Sequence, residues 1–531
     1  MIFCILFPHR LACLVRYCVL LGVVGFITAC GSLPSFRDVQ PTSSLAPDKD
    51  SPLGRIVAAS TPPGEHSGVR LLPLGVYSLD ARLELARRAV HSLDVQYYVI
   101  ANDGAGRLLL RTLKEAAQRG VRVRLLVDDL YTASTDQLLL ALAATPNVEV
   151  RLFNPFCCGR EHLAGRFLSS AFDLSRLNHR MHNKLFIADG LMAVAGGRNI
   201  ADEYFTLNAA QNFVDMDALL VGQVLTPLEA IFDDYWNSEQ VYPVSAMVSS
   251  PTPRAALSAK FDDSVNMAGP PPKLLLPPAD VLGYGPIGEE LDAGRMGLLW
   301  GQAVAVADPP DKPRYMSDAQ ALATSVTMRV WGQLRTAEQE VFVTSPYLIP
   351  GERGMAAFRE IRERGVAVTL LTNSLAANDE PLVHTGYARY RLPMLEAGID
   401  LYELSPARTT RSKRLGLFGS SQGRLHAKTA VIDRRKMFIG SLNLDPRSAN
   451  KNTELGIMVD SPQLAREMLR IINISKLENA YRLRLVRRTG AIEWLTMDDE
   501  KEVILLSEPE SSWFKRVYNR VLGNLVPESL L

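Results

Sequence analysis

One short pattern occurs twice in this chain at a fixed distance, and nothing else in it constrains the fold as tightly. His182-x-Lys184-x4-Asp189, followed by Gly196-Gly197-x-Asn199, returns as His426-x-Lys428-x4-Asp433 followed by Gly440-Ser441-x-Asn443. The differences 426 − 182, 428 − 184, 433 − 189 and 443 − 199 all equal 244. A His-x-Lys triplet alone arises by chance in many sequences, whereas two copies with every internal spacing kept mark a duplicated unit. The repeat runs beyond the motifs. Arg119-Gly120-Val121-x-Val123 and Arg364-Gly365-Val366-x-Val368 stand 245 apart (364 − 119). Whole lobes are therefore repeated.

Periodicity inside each lobe points to one architecture. Leu79, Leu83, Ala86 and Val90 fall at helical spacing, a strand is predicted over 95–99, and a helix over 107–119 is stopped by Gly120. Strands follow over 121–127 and 148–152; in the second half a strand over 341–345, a helix over 354–364 and a strand over 366–371 repeat the rhythm. Alternating β and α elements predict an α/β fold: two duplicated lobes, each a mixed sheet with helices on both faces, related by a pseudo-twofold axis with the active site at their interface. The first lobe is expected over 69–244 and the second over 317–531. Residues 245–316, with Pro270-Pro271-Pro272 and Pro277-Pro278, read as a linker or a cover over the site. The tail from 512 mixes Trp513, Phe514, Val517 and Val521 with Lys515, Arg516 and Arg520, a pattern suited to a lipid headgroup layer or to packing on the lobe.

The first thirty residues do not belong to this plan. Arg10 and Arg16 precede an apolar run over 19–27, which ends in Thr28-Ala29-Cys30-Gly31. This is the layout of a secretory signal, and the cysteine at the cut resembles a bacterial lipobox, so Cys30 is expected to carry lipid. Residues 31–68, rich in Pro, Ser and Thr, read as a tether. The catalytic body would then lie outside the cytoplasm. Gly31 after the cysteine resembles lipoproteins sent to the outer membrane, facing the periplasm. Cys157-Cys158 beside His162 read as half-buried thiols, because no second cluster completes a metal site. With 58 basic and 57 acidic residues the formal net charge is +1, so no overall field draws in nucleic acid.

The repeated residues suit work on a phosphate diester. On a strand, side chains two apart share a face, so His182 and Lys184 would project together, as would His426 and Lys428. Asn199 and Asn443 offer amide donors to phosphate oxygens, Ser441 a hydroxyl, and Asp189-Gly190 reads as a turn. In-line displacement at phosphorus needs an attacking group on one side and an acid for the leaving group on the other. Two histidines facing each other supply both, and two lysines stabilise the transition-state charge. No metal or other cofactor is called for. Each imidazole needs a partner on its second nitrogen. Asp217 after the first motif and Glu454 after the second are the expected orienting carboxylates, with Asp215 competing for the first role. Asp189 and Asp433, though counted with the catalytic set, suit turn contacts better than proton transfer.

These motifs resemble the phospholipase D superfamily, defined by paired His-x-Lys-x4-Asp signatures, and within it the bacterial cardiolipin synthases. The likeness extends over Leu93-Asp94-Val95-Gln96-Tyr97-Tyr98, residues 148–156, Arg176-Leu177-Asn178-x-Arg180-Met181-His182-Asn183-Lys184, residues 371–379, Val383-His384-x-Gly386-Tyr387-Ala388-Arg389 and the closing Trp513-Phe514-Lys515-Arg516-Val517. It implies two phospholipase D-type lobes, a phosphohistidine intermediate and membrane phospholipids as partners. The implied reaction joins phosphatidylglycerol to a phosphatidyl unit drawn from phosphatidylethanolamine, forming cardiolipin. By analogy His182 is the nucleophile and His426 the acid/base, an assignment that the near-symmetric sequence leaves open to reversal. His384, with Tyr387 and Arg389, would contact a headgroup or pack a helix face. A phospholipase D hydrolase releasing phosphatidic acid is the rival reading, and a phosphodiesterase acting on nucleic acid a more distant one.

Overall fold

The computed structural model describes residues 33–34, 39–64, 66–170, 173–312, 318–411, 421–498 and 501–525. The expected signal sequence and Cys30 lie outside the described residues. The first-lobe strands are β1 (Ser67–Leu72), β2 (Ser92–Tyr97), β3 (Arg122–Asp128), β4 (Val148–Phe153), β5 (Leu185–Ala188), β6 (Met192–Gly196), β7 (Gln211–Val214), β8 (Asp217–Gly222) and β9 (Val241–Pro243). Pairing gives the order β1-β8-β6-β5-β2-β3-β4-β9, parallel across β2-β3-β4 and antiparallel elsewhere.

In the second half the strands are β10 (Leu299–Ala307), β11 (Glu340–Thr344), β12 (Ala367–Asn373), β13 (Asp400–Leu404), β14 (Gln422–Leu425), β15 (Thr429–Ile432), β16 (Lys436–Gly440), β17 (Leu455–Asp460) and β18 (Ala480–Val486). Their order, β10-β17-β16-β15-β11-β12-β13-β18, reproduces the first lobe strand for strand, again parallel only across β11-β12-β13. Two further strands, β19 (Ala491–Asp498) and β20 (Lys501–Leu505), extend the far edge. Edge strands β1 and β10 pair antiparallel through Ser67↔Gly301, Gly68↔Trp300 and Val69↔Leu299, joining both halves into one sheet of 18 strands.

Side-chain alternation explains the layering. On β3, Val123, Leu125 and Val127 enter the core beneath helix Gly104–Gln118, while Leu126 faces the opposite side. The helix is fixed at its start by Asp103, whose carboxylate accepts from the Gly106 amide at 2.9 Å. A second core belongs to the second lobe alone, built on Val341, Val343, Phe358 and Leu370. Between them lies a shared core: Ala193, Ala218 and Leu220 of one sheet, Val431, Ile439 and Ile457 of the other, and helices Leu225–Trp236 and Pro462–Asn479. Asp189-Gly190 and Asp433-Arg434 form the two equivalent hairpin turns, all four residues at φ between 51° and 63°. Among the described residues no helix is long and apolar enough to cross a membrane.

Two sequence boundaries shift. The expected tether contains a helix, Pro52–Ser60, because Ser51 caps it and proline at the first position pre-sets its φ. Leu53 there is buried, and Ser44 upstream bonds Asp233, so this stretch lies along the first lobe. The Pro/Gly-rich segment over 245–316 is divided rather than laid over the site. Helix Arg254–Met267 packs Leu257 and Phe261 into the first core, whereas β10 belongs to the second sheet through β17.

Candidate active site

Two crossings of backbone between the lobes build the site. Met181 bridges in parallel to Thr453, and the His182 amide donates to the Thr453 carbonyl at 2.9 Å. On the other side β14 pairs in parallel with β7, and the His426 amide donates to the Val214 carbonyl at 2.8 Å. Each histidine is thus set beside the residue after its neighbour's bridge partner: Glu454 for His182 and Asp215 for His426. His182 Nδ1–H donates to Glu454 at 2.9 Å, and His426 Nδ1–H to Asp215 at 2.6 Å. The carboxylates are exchanged across the pseudo-twofold axis, and each imidazole is left with Nε2 to face a reactant.

This corrects the expected orienting pair. Glu454 orients a histidine, but the one in the opposite lobe. Asp217 orients neither. As the first residue of β8 it is occupied by Ser78 Oγ at 2.5 Å and Arg82 at 2.9 Å, both from helix Gly75–Arg88, and by the Arg198 amide. Asp215, two residues earlier and outside the strand, is free to reach across.

The motif aspartates also leave the catalytic set. Asp189 accepts from the amides of Val90, His91 and Ser92 at 2.8–3.0 Å, and Asp433 from those of Glu338, Gln339 and Glu340 at 2.7–3.0 Å. Each sits at the hairpin turn, seven residues of extended chain from its histidine, and ties that turn to the start of β2 or β11. They position the motifs without touching the site.

The remaining motif residues converge. The regular strands start only at Leu185 and Thr429, so the His-x-Lys segments are extended chain preceding β5 and β15. Lys184 Nζ donates to the His182 carbonyl at 2.6 Å and lies 5.3 Å from the Tyr98 ring centroid; Lys428 Nζ donates to the His426 carbonyl at 2.5 Å. Asn199 Nδ2 donates to the Tyr204 hydroxyl at 2.9 Å, and the Asn443 backbone N–H donates to Ser448 Oγ at 3.3 Å. Both asparagines keep a buried Oδ1 without a partner among the described residues. Ser441 is not turned to a ligand. Its hydroxyl donates to Glu454 at 2.5 Å and accepts from the Leu455 amide at 3.0 Å. At the equivalent Gly197 a Cβ would stand 2.1 Å from Asp215 Oδ1, so Asp215 occupies the space that a serine would need.

Aromatic walls close both half-sites. Tyr98 meets His182 edge-on at 5.0 Å between centroids, and Tyr204 meets His426 at 5.1 Å, with Phe213 at 4.9 Å. Sequence reasoning missed Tyr204 and Phe213, which belong to no repeated motif. His384 and Tyr387, which could have met a headgroup, are instead buried: Tyr387 donates to Glu403 at 2.7 Å and His384 Nε2 lies 3.0 Å from Arg391.

Burial is the largest influence on each group here, and at Asp215 the neighbouring charges overcome it. Burial, then Lys184 and Lys428, holds His182 well below the usual imidazole range, and His426 is lowered by burial and Lys428 against the opposing pull of Asp215. Burial would raise the Asp215 carboxyl, but the charge and hydrogen bond of His426, then Lys428 and Arg198, bring it down to about 2. Glu454 is pushed up to about 7 by burial, against Lys184 and Ser441. Lys428 falls to about 8 through burial, and Lys184 is lowered as well.

Comparison with known proteins agrees with the duplicated architecture. The family model described as cardiolipin synthase, PLD-like domain, matches residues 83–236 and again 330–474, one match per lobe. The chain is 38% identical to cardiolipin synthase C of Escherichia coli over 459 residues, covering 86% of this chain and 94% of that protein. It is 32% identical to an uncharacterized protein of Helicobacter pylori, covering 85% and 87%. Among solved structures, phosphatidylserine synthase of Haemophilus influenzae shares the fold with a TM-score of 0.54 at 13% identity, over 86% of this chain and 91% of that one.

Proposed function

From the premise that this chain belongs to the cardiolipin synthase, PLD-like family, we propose that it joins two phospholipids into cardiolipin by phosphatidyl transfer through a phosphohistidine. The observation that carries this reading is the pair of histidine–carboxylate contacts crossed between the lobes. Nε2 of His182 attacks the donor phosphorus, and the bond to the leaving alkoxide breaks as His426 delivers its proton. His426, now neutral, takes the proton of the incoming hydroxyl of phosphatidylglycerol, which displaces His182.

The unequal partners support that division of labour. Burial and the two lysines favour the neutral imidazole at His182, as a nucleophile requires. At His426 the ionised Asp215 opposes the lowering by burial and Lys428, so this ring keeps more of its affinity for the proton that an acid must deliver. Lys184 and Lys428, with the Nδ2–H groups of Asn199 and Asn443, would donate to the non-bridging phosphate oxygens. The Tyr98, Tyr204 and Phe213 walls limit water, which favours an alcohol as the acceptor.

The proposed donor is phosphatidylethanolamine. The proposed location is the periplasmic face of the outer membrane, by a lipid on Cys30; failure of Cys30→Ala to release the protein from membranes would remove that part. The test of the reaction is incubation with labelled phosphatidylglycerol, with and without phosphatidylethanolamine. Cardiolipin formed only with both lipids supports the reading; phosphatidic acid alone turns it to hydrolysis.

A further inference from the structure

The last helix, Trp513–Leu525, is packed the wrong way round for a soluble protein. Residues 513, 517 and 521 make one helical stripe, with 514 and 518 beside it. Such a stripe ordinarily faces the core. Here Trp513 is 62% exposed, Phe514 77%, Tyr518 60% and Val521 52%, with Val517 exposed as well. The polar side holds the helix to the lobe. Asn519 is buried, Arg389 donates to the Gly523 carbonyl and Lys515 Nζ to the Leu375 carbonyl at 2.8 Å, while Arg516 bonds the Ser511 carbonyl at 2.7 Å just ahead of the helix. Leu506, 79% exposed, lines the same cleft as Trp513 and Val517.

We propose that this helix docks on an anionic phospholipid bilayer, its apolar face in the interface and the active-site mouth beside it. Three observations select a lipid surface as the occupant. Trp, Tyr and Phe together are the composition favoured at the water–hydrocarbon boundary. Lys515 and Arg516 make these hydrogen bonds to neutral carbonyl oxygens, so their charge at the flanks of the apolar stripe, with Arg424 beside it, complements anionic headgroups. The position also fits. Leu375, which Lys515 holds, opens the loop that runs to Asp379; Asp379 accepts from Tyr347 at 3.0 Å, and its charge reaches Lys428 and Tyr204. Arg424, whose charge Lys515 feels, lies two residues before His426. The helix and the histidines therefore share one end of the molecule. Only the identity of the lipid consumed there rests on the phosphatidyl-transfer reading; the docking does not.

The test uses the full chain with vesicles of phosphatidylglycerol and phosphatidylcholine whose acyl chains carry bromine, and vesicles of phosphatidylcholine alone. The five tryptophans give a composite emission, and Trp513→Phe removes one while keeping the face apolar. Bromine should quench a component of the wild-type emission that is missing from Trp513→Phe, and more strongly with phosphatidylglycerol present. A second variant, Trp513→Ser/Phe514→Ser/Val521→Ser, should lose about tenfold or more in turnover on phosphatidylglycerol vesicles that also contain phosphatidylethanolamine, and keep its turnover of monomerically dispersed short-chain phosphatidylglycerol and phosphatidylethanolamine. Equal quenching in wild type and Trp513→Phe, or parallel loss on vesicles and monomers, overturns the proposal. So does a concentration-dependent dimer that the triple variant abolishes, since the face would then cover a second copy. If the wild type turns over no phospholipid in either form, the transfer reading falls while the quenching result still decides the docking.

Discussion

At His182 the orienting group is Glu454, steadied by the Ser441 hydroxyl and carrying a carboxyl that burial pushes up to about 7. At His426 it is Asp215, one methylene shorter, pressed against Gly197 and drawn down to about 2. One backbone contact recurs at both histidines, the ring's own amide donating to the carbonyl just before the orienting carboxylate, although β14 and β7 form a ladder where Met181 and Thr453 make a single bridge. The lesson is that a duplicated frame keeps the geometry while single side chains set the charge. Both rings are held below the usual imidazole range, His182 the further, and at His426 the ionised Asp215 pulls against that lowering.

Removing either ring should have the largest effect. His182→Ala and His426→Ala should each lower kcat by about 10^4 or more. With a leaving group that needs no proton, His426→Ala should still form a covalent phosphohistidine detectable by mass spectrometry, and His182→Ala should not. Labelling of His182→Ala with none of His426→Ala would reverse the roles.

Next come the carboxylates. Asp215→Asn and Glu454→Gln should each cost about 10^2 to 10^3 in kcat, and they should separate by pH. A carboxyl raised to about 7 favours the folded state below its ordinary value of 4.5 and loses that contribution as pH rises to about 7. Asp215, lowered from 3.8 to about 2, contributes above 3.8 and loses it as pH falls toward 2. Glu454→Gln should therefore flatten the stability profile between pH 4.5 and 7, and Asp215→Asn at the acid end, in thermal melts across pH; identical profiles would erase the distinction.

The reciprocal exchange sharpens the comparison further. Gly197→Ser forces Asp215 off His426 and should reduce kcat by about 10^2, whereas Ser441→Gly removes one hydrogen bond to a buried carboxyl and should cost about tenfold. The smallest catalytic effect belongs to the motif aspartates. Asp189→Ala should lower stability by about 2 kcal/mol in denaturant unfolding and leave kcat within about twofold; the more exposed Asp433 should matter less.

Much of this was legible in the residues. The 244-residue offset revealed both lobes and the pairing of the histidines, because short polar motifs survive in any structural context. The βαβ rhythm showed through the alternation of strands such as β3. The exchange of carboxylates did not show, since it depends on two backbone bridges between segments over 200 residues apart, Met181 with Thr453 and β14 with β7. Asp217 looked the better candidate because it opens a strand, and only Arg82 and Ser78, distant in sequence, reveal its other employment. Ser51-Pro52 carried a helix-start signal that the surrounding Pro/Ser composition obscured.

The three-pair seam between β1 and β10, with the shared core beneath it, bears on how the molecule comes apart. Neither half owns a complete interior: cut at the seam, each would present an open strand edge and a bare apolar face to water. Unfolding should therefore run as one cooperative event, a single calorimetric peak in place of two, and either half expressed alone should aggregate.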